Sequence, residues 1–387
     1  MAETPHVRDL RIDLFRGLAL VMIFINHMPG TIWENFTSRN FGFSDGAEGF
    51  VLMSGIATGL AYGTVFLRGA PDWAQALRPW RRALTLWWVH VVVVLCILAL
   101  FLATWHDPAV ASMAEKRNII LVLQDPVFMV WPLALLGHQF AYADILPLYV
   151  VLMLAAPGLL ALAVRWPRAL MLGSLALWFF AGLFRIRFPT WPYDNGWFFN
   201  PMSWQVLFVA GILTGLAYRQ GRRWLPIRRW ALWLATGFVV MAAIWVQVPV
   251  VAAWGGHGLW MLHEYVGVPH VFTSFDKGYL FAPRLLHILA LAYMLSALPA
   301  LKGMAASPRV AWLVLLGRNS LPVFAVSTVL SYIGQVIKTM TPPSFVLDTA
   351  LVVVGLVLLY LVARLREGQK RTQAKGQHAG KPALQGQ

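Results

Sequence analysis

The chain has 387 residues, of which 59% are hydrophobic and 12% charged, with a mean hydropathy of +0.64 and a formal net charge of +15. Those values exclude an ordinary soluble domain of this length. They also make nucleic acid a poor reading of the positive charge, because the basic residues stand between apolar runs, where membrane orientation requires them.

The first apolar run, DLFRGLALVMIFINHMPG, carries Asp13, Arg16, Asn26 and His27 inside a stretch long enough to cross a bilayer. Ionisable groups at membrane depth are costly unless they face protein or a wet cavity, so each is a functional candidate. Arg16 and His27 lie eleven residues apart, which returns to nearly the same helix face roughly 16 Å further along, and Asp13 joins that stripe one turn earlier. The imidazole suits a general base and the guanidinium a phosphate-bearing ligand. Next comes GFSDGAEGFVLMSG, with Asp45 and Glu48 at the mouth of the second run, placed to orient the imidazole or bind hydroxyls.

Hydropathy predicts an all-α polytopic membrane protein of about ten spanning helices enclosing a polar cavity. They fall near 14–30, 48–67, 82–104, 145–164, 169–186, 203–219, 230–250, 281–300, 319–338 and 346–364. Residues 119–136 are apolar but broken by Asp125, Pro126 and Pro132, and read as a re-entrant or interfacial piece. Lys and Arg concentrate in alternate connections. The segments left for the outer side hold Arg39, Lys116, Arg117, Arg185, Arg187, Lys277, Arg284 and Lys338, so both termini are expected in the cytoplasm. Residues 1–365 read as one transmembrane domain and 366–387 as a disordered cytoplasmic tail. Residues 1–11 are charged and carry no cleavable-signal pattern. Cys96, the single cysteine, sits in an apolar run as a small lipid- or core-facing residue.

Three later blocks bring polar groups to the membrane. In WPYDNGWFFNPMSWQVLFVAG, the cluster Asp194, Asn195, Asn200, Trp204 and Gln205 is a candidate sugar platform, amides and a carboxylate beside aromatic faces. In DKGYLFAPRLLHILALAYM, Asp276 and Lys277 precede Arg284 and His287, which share a helix face. In LGRNSLPVF, Asn319 or Ser320 is placed to cap a helix with Pro322 in its first turn, the preceding 307–315 lying along the inner leaflet. The freed amides there, with Arg318, suit a phosphate. His257, His263 and His270 fall in what reads as an outer loop without metal-ligand spacing. No GxxxxGK[ST], CxxC or GxSxG string occurs.

These blocks, in this order, resemble the OpgC family, over roughly residues 8–365. Members are polytopic enzymes that succinylate osmoregulated periplasmic glucans, within a wider class of transmembrane acyltransferases whose first helix carries an Arg and a His at this spacing. The resemblance implies an O-acyltransferase in the bacterial inner membrane, with acyl-CoA (succinyl-CoA) as co-substrate, a periplasmic glucan as acceptor, and no tightly bound cofactor or metal. In that reading His27 suits the base, Asn26 or a nearby donor the oxyanion, and Arg16 the donor's phosphates. A succinyl carboxylate needs a cation, for which Arg284 is the first choice and Lys277 the second. The alternatives are a related acyltransferase acting on another envelope glycan, and a transporter of glycan or acyl donor. Beyond the lipid bilayer the sequence names no protein partner and leaves a homo-oligomer open.

Overall fold

The computed structural model describes residues 9–69, 73–192 and 196–379. Eighteen α-helices follow one another within them: α1 (Leu10–Asn26), α2 (Gly46–Leu67), α3 (Trp73–Ala76), α4 (Arg78–Thr104), α5 (Pro108–Lys116), α6 (Ile120–Gln124), α7 (Pro126–Ala134), α8 (Ile145–Arg165), α9 (Pro167–Leu183), α10 (Pro201–Arg219), α11 (Arg229–Gln247), α12 (Pro249–Glu264), α13 (His270–Thr273), α14 (Ala282–Ala297), α15 (Ala300–Ala306), α16 (Ala311–Arg318), α17 (Ser320–Met340) and α18 (Phe345–Ala379). Local chemistry sets many of the starts. Asp9, Asp45, Asp107, Asp125 and Asn200 cap their helices through the side chain. Proline occupies an early position of α4, α5, α7, α9, α10, α12 and α14, where its missing N–H costs nothing.

Seven of these helices are long and apolar enough to cross a membrane: α2, the stretch Trp73–Thr104, α8, α10, α11, α17 and Phe345–Gln373 of α18. The pair α14 and α15, bent by 85°, makes an eighth if it forms one broken span. The sequence expectation of about ten is therefore met only in part. The two that fall short are α1 and α9, each of 17 residues, and α1 also carries Asp13 and Arg16.

Burial separates the centre from the lipid face. In α10, 83% of the apolar window is covered by protein; in α11 only 6% is. The exposed Trp230, Trp233, Leu234 and Ile244 of α11, and Leu84, Trp88, Val92 and Leu95 of α4, are faces that lipid solvates. Cys96 is exposed on the same helix as the latter. At the centre α2 crosses α10 through two glycine pairs, Gly55 and Gly59 against Gly211 and Gly215. A Cβ on Gly211 would stand 2.3 Å from the Leu52 carbonyl oxygen, and one on Gly55 2.2 Å from that of Phe208. This is small-residue packing of the kind that lets membrane helices touch backbone to backbone.

Other expectations need correction. In the segment 307–315 the second half forms α16, which crosses α1 at a second glycine contact. A Cβ on Gly17 or Gly317 would lie 1.9 Å from the Leu313 or Asp13 carbonyl oxygen respectively. The expected outer loop with three histidines is largely α12 and α13. Glycines in 255–258 suggest a loop by composition, but an apolar setting favours keeping the backbone bonded in a helix. Residues 119–136 are broken as expected, into the short helices α6 and α7, with Val127, Phe128 and Trp131 exposed. Helix α18 continues through 366–379, where the composition reads as a disordered tail, and Glu367 and Lys370 reach Asn319 from it. Residues 380–387 lie outside the described part.

Candidate active site

Two pockets share one lining residue, Phe324. The larger, about 580 Å³, is walled by the end of α1, the loop before α2, the turns around Arg117 and Tyr142, and the loop before α14. The smaller, about 170 Å³, lies among α1, α2, α4, α8 and α17. Phe324 of α17 lines both, stacked on Phe50 at 6.0 Å.

The larger cavity collects Asn26, His27, Asp45, Lys277 and Arg284 from three separate sequence blocks. His27 follows the last residue of α1, its backbone N–H still bonded to the Ile23 carbonyl. Its carbonyl accepts a hydrogen bond from Gln335 Nε2 (2.6 Å), and its ring meets the Tyr142 ring edge-on at 4.9 Å. Asn26 accepts a hydrogen bond from the Thr37 hydroxyl through Oδ1 (2.8 Å), which turns its amide NH2 into the free donor end.

Opposite stands a charge quartet. Asp45 caps α2 by accepting from the Ala47 N–H, and Glu48, three residues on, accepts from the Asp45 N–H in return, a reciprocal capping box. Both carboxylates then meet cations. Lys277 Nζ is 2.6 Å from Asp45, Arg284 Nη2 is 3.3 Å from Asp45, and Arg284 Nε donates to Glu48 at 2.7 Å. Glu48 is fully buried, a position a carboxylate tolerates only when so paired. Burial alone would raise the Asp45 carboxyl, but the Lys277 ammonium and the Arg284 guanidinium hold it well below the usual carboxylate range. By formal charge the quartet sets two carboxyl groups against two cations. Glu48 and Asp45 make no hydrogen bond to the His27 ring among the described residues, where that ring packs against Tyr142.

The remaining expected residues divide by place. Arg16 lines the smaller cavity, with Ser320, and donates to the Met53 carbonyl at 3.1 Å. It therefore shares a helix with His27 but not a cavity, and Phe324 stands between their two chambers. Asp13 is buried and lies 3.7 Å from Arg318, an ion pair at the α1–α16 crossing. Asn319 stands at the N-cap position of α17 but makes no side-chain capping hydrogen bond. Its amide donates to the Leu315 carbonyl and it accepts from Lys370.

Of the residues expected to form a sugar platform, Asn200, Trp204 and Gln205 do not line the cavity. Asp194 and Asn195 lie outside the described residues. Asn200 caps α10 and donates to the Ile186 carbonyl, while Gln205 exchanges hydrogen bonds with Ser174 of α9. Trp204, fully buried, donates to the Lys277 and Gly278 carbonyls, and Asp276 accepts from the Tyr279 N–H. These two shape the loop that presents Lys277. The aromatic walls are instead Phe43, Tyr142, Phe198 and Phe199. His287 is buried off the cavity. Its Nδ1 accepts from the Ser44 N–H (3.3 Å) and lies 2.7 Å from that hydroxyl, so Nε2 carries the proton and finds no partner. It fixes the turn before Asp45.

Sequence reading missed Arg117, Tyr142 and Asp144 on the wall of the larger cavity and Arg82 on that of the smaller one. Tyr142 adopts φ +71°, a backbone conformation costly for a bulky residue and one that turns its ring toward His27. Burial pushes the Asp144 carboxyl up to about 7. An aspartate just before an apolar run was the available signal for Asp144, and Arg82 stands in the first turns of α4 among other basic residues; Arg117 and Tyr142 lie in connections without a pattern. Among the described residues no group of three or more His, Cys, Asp or Glu is arranged to hold a metal.

A family model described as OpgC protein matches residues 8–371. The chain belongs to the OpgC family. No curated protein matches it, and neither does any solved structure. Family membership together with the long apolar helices makes it a multi-pass membrane protein.

Proposed function

We propose that the protein is a membrane O-acyltransferase which moves a succinyl group from cytoplasmic succinyl-CoA to a hydroxyl of a periplasmic glucan. The family supplies the reaction class. The observation that carries the reading here is the pair of cavities sharing Phe324, one holding His27 and the other Arg16. In this reading α1 and α9 also traverse the bilayer, giving about ten spans. The termini then lie in the cytoplasm, the Arg16 chamber faces inward and the His27 chamber outward. Arg16 and Arg82 receive the phosphate-bearing donor from inside, and the glucan enters between the charge quartet and the aromatic walls.

The chemistry follows from the groups at the meeting point. His27 takes the proton of the attacking hydroxyl as its oxygen bonds to the thioester carbonyl carbon. The carbonyl oxygen becomes an oxyanion, which the Asn26 NH2 is placed to stabilise. Collapse breaks the carbon–sulfur bond, and the departing thiolate takes the proton back from the imidazolium. The transfer is direct, through no acyl-enzyme.

The test is transfer in detergent with the purified protein, succinyl-CoA and a periplasmic glucan, followed by mass spectrometry. The expected product is a ladder of succinyl increments. Because a transporter has no reaction to perform without a sealed bilayer, an unmodified glucan under these conditions rejects the proposal.

A further inference from the structure

Four cations line the outer cavity: Arg39, Arg117, Lys277 and Arg284. Three are matched by carboxylates. Arg39 pairs with Glu34 at 3.0 Å, Lys277 with Asp45, and Arg284 with Asp45 and Glu48. Arg117 makes no ion pair among the described residues; Asp144, the other carboxyl on this wall, is not within ion-pair distance of it.

Arg117 is nevertheless held in place. Its Nε donates to Gln335 Oε1 at 3.1 Å, and its guanidinium carbon lies 4.4 Å from the centre of the Tyr142 ring. Both supports also hold His27. Gln335 donates to the His27 carbonyl, and Tyr142 packs against its imidazole. A cation with two terminal NH2 groups to spare is thus fixed, one residue removed, beside the proposed base.

We propose that Arg117 binds the free carboxylate of a dicarboxylic acyl group and so selects that donor over an uncharged acyl chain. The inference rests on the acyltransferase reading above. A carboxylate carried into this chamber needs a partner to offset its desolvation, and a guanidinium fork meets it with two parallel hydrogen bonds. The sequence points to Arg284 for this role, but Arg284 already serves Glu48 and Asp45, and releasing it would strand a buried carboxylate.

The experiment compares succinyl-CoA with butyryl-CoA, which has the same four-carbon acyl chain without the charge, on the full-length protein in detergent. Transfer to glucan is measured as kcat/KM for each donor. Arg117→Gln is expected to lower the value for succinyl-CoA by about ten- to a hundredfold, the scale of a charged hydrogen bond, and to leave butyryl-CoA within about threefold. Arg117→Lys keeps the charge without the fork and is expected to fall between, which gives a second reading if the Gln variant folds poorly. An equal loss for both donors in either variant, or an unchanged preference in Arg117→Gln, overturns the assignment while leaving the acyltransferase reading intact. A wild-type protein that transfers neither donor overturns that reading itself, and this assignment with it.

Discussion

At the scale of single residues, His27 and Arg16 show how far spacing alone can take an argument. Eleven residues predict one helix face for both; in the structure Arg16 lies within α1 and His27 just past its end, and they line different chambers that share Phe324. Under the proposed mechanism His27 is the proton acceptor. His27→Gln keeps a polar side chain of similar reach that cannot take a proton, so transfer should fall by about 10²–10⁴ while thermal stability stays close to wild type. A variant retaining a tenth or more of the wild-type rate would take His27 out of the chemistry. Residues such as Asp45, Lys277 and Arg284 were legible because charges beside apolar runs stand out. Their mutual pairing was not, since Asp45 and Arg284 are 239 positions apart. Trp204 and Asn200 misled for a physical reason. The groups that suit a sugar rim, an indole N–H and an amide, also satisfy backbone carbonyls at a helix start, and here they do the latter.

At the scale of elements, the long apolar helices and the break near Pro126 could be read directly, because twenty apolar residues or a proline leave few options. The helix crossings could not. Glycines scatter through the whole sequence, and only the structure distinguishes those pressed against a neighbouring backbone from those facing open space. Gly211 and Gly237 make the contrast testable. A methyl on Gly211 would stand 2.3 Å from a backbone oxygen of α2, whereas one on Gly237, in α11, meets nothing within 4 Å. Gly211→Ala should therefore force α2 and α10 apart and destabilise the fold by about 1–3 kcal/mol. Gly237→Ala should be neutral or stabilising by up to about 1 kcal/mol, from helix propensity alone. Thermal unfolding of the two variants in the same detergent checks this, and equal melting temperatures would show that the crossing is looser than drawn.

At the scale of the molecule, a two-chambered acyltransferase works only if each chamber opens to its own side. The donor thioester is cytoplasmic and the acceptor is not, so orientation belongs to the proposed mechanism. The basic residues favour one answer. Arg219, Arg222, Arg223, Arg228 and Arg229 crowd the connection between α10 and α11, and positive charge marks cytoplasmic loops. The α4–α5 region, at the other end of its span, should then face outward together with Arg117 and the His27 chamber. Two exposed positions report the two sides, Gln220 after α10 and Glu115 in α5. In a Cys96→Ala background, Glu115→Cys should react with a membrane-impermeant thiol reagent in intact spheroplasts. Gln220→Cys should react only after the membrane is opened. The reverse pattern would place the Arg16 chamber on the periplasmic side, away from any cytoplasmic thioester, and the direction of transfer proposed here could not stand. Labelling of both in intact spheroplasts would exclude three crossings by α8, α9 and α10, and with them the ten-span path on which the two-chamber arrangement depends.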